Sequence, residues 1–124
     1  MFEVGPYLVE VKATTTGQAR LTPKQATTAA VCPRRYVLCV IDLRQNLDTD
    51  LDQDWTAGAV EPLARLVLDI GSMVGETYNW VEMATTLEVG IRNEAALRHE
   101  VSPQIWESGM SISDWVKSIV PKIS

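Results

Sequence analysis

Residues 7–25 read YLVEVKATTTGQARLTPKQ, and the fold turns on how this stretch is read. Tyr7 to Ala13 alternate at period two. Tyr7, Val9, Val11 and Ala13 face one way, and Leu8, Glu10 and Lys12 the other. That is a strand with a charged pair set into one face. Gly5-Pro6 is a turn signal, and Phe2-Glu3-Val4 before it reads as an earlier strand, so the two form a hairpin. Gly17 marks another turn, and Gln18 to Leu21 a short third strand. Thr22 suits a helix N-cap, Pro23 the first helical position, and Gln25 the reciprocal place in a capping box. The helix runs on through QATTAAVC and stops at Pro33.

Residues 36–43, YVLCVIDL, are apolar on both faces, which predicts a central strand covered on two sides. The middle of the chain allows two readings. Leu63, Leu66, Val67 and Ile70 fit a helix after Pro62. Ile70, Met73, Val74, Tyr78 and Val81 fit a later one, with ARLVL as a short strand before it. The later helix is preferred here. TLEVGIR, residues 86–92, alternates and predicts a strand. Ile112, Trp115, Val116, Ile119 and Val120 recur at helical spacing after Ser111, and Pro121 is expected to end that helix.

The chain has 124 residues and is 46% hydrophobic, enough for one domain over 1–124 with its own core. It holds no apolar run long enough to span a bilayer, and its start lacks the pattern of a signal peptide. The expected location is the cytoplasm. Cys32 and Cys39 lack metal-ligand spacing and read as buried, reduced thiols. The net charge of −5 argues against a strongly basic nucleic-acid binder. Much of that charge lies in DLRQNLDTDLDQD, residues 42–54, so the rest of the chain is nearly neutral and DNA is not excluded. The same segment lacks the central glycine and terminal glutamate of an EF-hand, and 44–57 is read as a flexible acidic loop. His99, the only histidine, has no catalytic partner nearby in sequence. Of the four tryptophans, Trp115 sits on the apolar helical stripe and Trp106 is read as a docking residue for the tail. Base stacking is the other reading that the four, Trp55 and Trp80 among them, suggest.

Glu10 and Lys12 are the candidate chemistry. A carboxylate binds a hard cation such as Mg²⁺, with the Val11 carbonyl as a further oxygen, and a neighbouring lysine stabilises charge on an attacked phosphate. The bland alternative is a solvent-facing ion pair. The order of elements makes the first reading more specific. E-x-K on the second strand, then a short strand, a helix and a buried strand, resembles the PD-(D/E)xK restriction-endonuclease-like fold. Val9 to Lys12, Leu21 to Gln25 and Tyr36 to Ile41 resemble the C-terminal domain family named after the plant protein NO VEIN, with a looser likeness over 94–120.

The resemblance implies an α/β domain with a mixed central sheet flanked by helices, and a nuclease-like function on DNA with Mg²⁺. Its context would be a larger protein or complex in bacterial defence or DNA processing. It makes Glu10 a metal ligand, Lys12 the catalytic lysine and Gln25 an auxiliary polar residue. The family pattern has an upstream acid, usually Asp, on the strand before E-x-K; here Glu3, close to the turn, is the only acidic residue upstream of Glu10, so the chain is expected to be either a C-terminal fragment of a larger protein lacking its first catalytic acid or a catalytically inactive interaction module. Arg20, Lys24, Arg34 and Arg35 are candidate phosphate contacts, with a solvated basic surface as their alternative.

Overall fold

The computed structural model describes residues 1–46, 57–75 and 99–123. Strands β1 (Phe2–Val4) and β2 (Tyr7–Thr14) form the expected antiparallel hairpin, with Val4 opposite Tyr7. The tight connection works because Gly5 takes a φ of 57°, where a side chain would be strained. Strand β3 (Ala19–Leu21) leads into helix α1 (Pro23–Val31). The capping box at Thr22 and Gln25 is complete in both directions. Strand β4 (Tyr36–Asp42) follows and lies parallel to β2, with Glu10 opposite Leu38 and Lys12 opposite Val40. Two parallel neighbours need a crossover between them, and β3 with α1 supplies it.

A short 3₁₀ turn, Arg44–Asn46, opens the acidic segment, whose remainder up to residue 56 lies outside the described residues. Helix α2 (Ala57–Val60) and a second 3₁₀ turn (Glu61–Leu63) bring the chain back to β5 (Ala64–Val67), antiparallel to β4. Residues 70–75 are helical (α3), so the reading with a short strand and a later helix holds as far as residue 75. Tyr78, Trp80, Val81 and the 86–92 strand lie outside the described residues, as does Trp55. Strand β6 (His99–Val101), helix α4 (Pro103–Trp106) and helix α5 (Ile112–Ile123) complete the order.

The main sheet runs β1-β2-β4-β5 and is mixed, which bears out the α/β class. Its two faces carry separate cores. One gathers Leu8, Tyr36, Leu38 and Val40 with Ala29 of α1, Leu21 of β3 and Trp106. The other gathers Val9, Val37 and Cys39 with Trp115 and Ile119 of α5. The strict alternation along β4 is what a strand covered on both sides requires.

Strand β3 stands apart from the main sheet: β2 already has β1 on one side and β4 on the other, so β3 pairs with β6 in a separate two-stranded sheet. Two expectations need correction. Helix α5 passes Pro121 and ends at Ile123. Proline's fixed φ is itself helical, and near a helix end its lost hydrogen bond interrupts little. Cys32 is only half-buried, because it stands at the C-cap of α1 rather than within a strand; both thiols are free.

Candidate functional site

Glu10 and Lys12 stand mid-strand on the face of β2 that α1 covers, and both are half-buried. The crossover sets this arrangement. It carries the chain from β2 over that face and starts α1 beside Glu10. Gln25, in the first turn of α1, then does two things at once. Its Oε1 accepts from the Thr22 backbone N–H at 2.9 Å, closing the capping box. Its Nε2 donates to Glu10 Oε1 at 2.9 Å. Because the oxygen is committed to Thr22, the amide has one orientation, with its NH₂ toward Glu10. The capping role expected of Gln25 is met, and the geometry unites it with a contact to the carboxylate.

Glu10 and Lys12 do not neutralise each other. The ion pairs among the described residues are Arg20–Glu100, Arg44–Asp42 and Arg44–Glu107, and none involves Glu10 or Lys12. A half-buried carboxylate and a half-buried ammonium on one face, each without an ionic partner among the described residues, differ from the solvent-facing salt bridge of the bland reading. Glu3 pairs in register with Leu8, which puts it on the same sheet face as Glu10, one strand over and diagonal to it, but exposed.

The basic candidates scatter. Arg20, on β3, is exposed and pairs with Glu100 at 3.2 Å and with Gln18 at 2.6 Å. Lys24 is exposed in the first turn of α1, beside Gln25. Arg35 donates its Nε–H to the Pro6 carbonyl at 2.7 Å, at the start of β2. Arg34 borders a cleft of about 370 Å³ on the opposite face of the sheet, with Val37, Trp115 and Ile119. Lys24 thus shares the first turn of α1 with Gln25, whereas Arg35 sits by the start of β2 and Arg34 borders the opposite face.

Sequence reasoning missed Tyr36. It is fully buried at the start of β4, on the same face as Leu8, Glu10 and Lys12. Burial, and then the charge of Glu10, push its phenol above the ordinary value, so it is a neutral hydroxyl at any physiological pH. The only signal available was a tyrosine opening an otherwise aliphatic strand.

A second polar cluster, also unforeseen, sits past the C-terminal ends of β2 and β4. Arg44 holds Asp42 by two bonds of 2.9 Å and Glu107 at 2.7 Å, and lies 5.0 Å over the Trp106 ring. The Arg44 guanidinium keeps the Asp42 carboxyl below its ordinary range. Trp106 Nε1 donates to the Gly17 carbonyl at 2.9 Å, and the Thr14 hydroxyl accepts from the Gly17 N–H at 2.9 Å. These bonds pin the turn after β2 and so fix the strand that carries Glu10. Trp106 is therefore a core residue, 1% exposed, and its ring leaves no face for a nucleic-acid base.

A cation of the Mg²⁺ kind would meet carboxylate oxygen on this face. Glu10 keeps its second oxygen without a partner among the described residues, and Glu3 offers another hard oxygen on the same face. No group of three or more His, Cys, Asp or Glu residues able to hold a metal gathers among the described residues. Mg²⁺ typically takes one or two carboxylates, keeps several waters and completes its shell with substrate phosphates.

No protein-family model matches the chain, and comparison with curated proteins and with solved structures returns no match.

Proposed function

We propose that this chain is a nuclease-like domain that binds DNA and, with Mg²⁺, hydrolyses its phosphodiesters. The observation that carries the reading is a carboxylate and an ammonium two residues apart on one half-buried strand face, neither paired with the other, and the carboxylate held by Gln25. Charges held on one strand face with no ion-pair partner among the described residues add no pairing energy to the fold, and that supports reading them as a site.

Glu10 would hold the metal, with Glu3 as the second carboxylate. The bound cation would supply charge neutralisation and an acidified water. Gln25 restrains the Glu10 carboxylate through its hydrogen bond. Lys12 places an ammonium on the same face to stabilise negative charge developing on the attacked phosphate. Lys24, and Arg20 when released from Glu100, would contact flanking phosphates. The resemblance to the NO VEIN C-terminal domains supports a place within a larger protein or complex, in bacterial defence or DNA processing.

A second reading is a non-catalytic interaction module on the same fold. The net charge of −5 favours it, as does the absence of a third acid beside Glu10 among the described residues. Plasmid cleavage with Mg²⁺ or Mn²⁺ separates the two. Cleavage lost in both Glu10→Ala and Lys12→Ala supports the first. Nicking that survives both substitutions overturns the assignment of this site, and a folded protein with neither cleavage nor metal binding favours the module. As for the membrane, no helix among the described residues is long and apolar enough to cross one.

A further inference from the structure

We propose that Tyr36 is a positioning residue for Glu10, its buried hydroxyl donating through one water to the carboxylate that Gln25 holds from the side of α1. The starting point is an unsatisfied group. Tyr36 is fully buried, and its hydroxyl has no hydrogen-bond partner among the described residues. Buried polar atoms in native proteins are nearly always satisfied, because an orphaned hydroxyl forfeits its bonds to water with no return.

The sheet says where the partner lies. Tyr36 is opposite Leu8 in the parallel register, and Glu10 is opposite Leu38, so Tyr36 and Glu10 project from the same face as diagonal neighbours. The phenol senses the Glu10 charge, yet no direct bond joins the two groups. A buried donor and a nearby acceptor that form no direct bond are commonly joined by one ordered water. The phenol is a neutral donor and Glu10 is an acceptor with a second oxygen unused among the described residues. The carboxylate is then held from two directions, by an amide on α1 and by a phenol beneath it on β4.

One rival partner exists. His99 Nδ1 is the other buried side-chain atom without a partner among the described residues, and His99 is also buried, on β6. Tyr36 belongs to the same core as Leu21, the residue that pairs with His99. The register makes Glu10 the diagonal neighbour of Tyr36 on one sheet face, and it is the charge of Glu10 that the phenol senses. Glu10 is therefore the assigned partner.

The cation-binding consequence rests on the function proposed above; the hydrogen bond does not. Two measurements keep them apart. The first is a double-mutant cycle in urea unfolding with Tyr36→Phe and Glu10→Gln, beside a second cycle with Tyr36→Phe and His99→Leu. Non-additive shifts in the Glu10 cycle are expected. Additive behaviour there, or coupling found only in the His99 cycle, overturns the inference. The second is Mn²⁺ affinity by calorimetry. Removing a group that orients a metal ligand typically lowers affinity about tenfold to a hundredfold. Tyr36→Phe is expected to show such a loss while remaining folded, and unchanged Mn²⁺ affinity overturns the positioning role. If the unmodified protein binds no Mn²⁺, the metal reading fails, and the unfolding cycle alone decides for or against the Tyr36–Glu10 bond.

Discussion

Lys12 is half-buried and has no ionic partner among the described residues, which sets the sign of its effect on stability. An unpaired ammonium that is partly desolvated stabilises nothing through its charge, while its methylene stem packs as well as any aliphatic chain. Lys12→Met should therefore leave the fold unchanged or stabilise it by up to about 1 kcal/mol, while removing any activity. Urea unfolding of the variant checks this, and a clear loss of stability would return Lys12 to the role of a structural ion pair. Glu10 and Lys12 were legible as a pair because alternation at period two assigns faces without knowledge of the partner strand. Their failure to bond each other was not legible, since spacing alone fits a salt bridge equally well. Gln25 was legible as a cap, a bond between residues three apart. Its bond to Glu10, across 15 residues of sequence, needed the crossover to be in place.

At the scale of elements, α1 is specified almost entirely by local chemistry: a threonine cap, a proline in the first turn, a reciprocal glutamine and a buried stripe of Ala26 and Ala29. The small residues let other backbone come close. Gly71, at the start of α3, is the counterpart. A Cβ there would run into the Ala29 carbonyl oxygen and come within 2.7 Å of Pro33 Cα. Both obstacles are backbone and cannot swing away. Gly71→Ala is expected to cost about 1–3 kcal/mol by overpacking, against the gain of about 0.5–1 kcal/mol that alanine brings to an unobstructed helix position. A thermal or urea melt decides, and a stabilised variant would show that α1 and α3 do not approach as described. The strands divide in the same way. β2 and β4 announce themselves by alternation and by an apolar run. β6 has three residues around the lone histidine, too few for any period to register, and it is recognised only through β3.

Across the whole molecule, His99 and Asp42 tie stability to pH on the acid side. Burial lowers the pKa of His99, so the unfolded chain, with a histidine near the usual value of about 6.5, binds a proton more readily than the folded one. Stability is therefore full above that value and falls as pH drops through it toward the lower folded value. Asp42 acts at lower pH. Its folded pKa is depressed, chiefly by the hydrogen bond from Arg44, so its contribution is present above the unfolded carboxylate range and disappears as acid protonates it. Urea midpoints between pH 5 and 8 should fall on the acid side in the unmodified protein and lie flatter in His99→Leu; an unchanged slope in that variant would assign the effect elsewhere. Local signals determined the strand faces, the capped helix, the doubly covered strand and the candidate charges, because each depends on period, turn chemistry or composition within a few residues. Only the tertiary structure decided that β3 leaves the main sheet for β6, that Gln25 reaches Glu10, that Tyr36 lies under the same face and that Arg44 locks Asp42 to Glu107. Those outcomes depend on which strand edges are already occupied and which groups meet across the sheet. These are non-local competitions that no window of sequence contains.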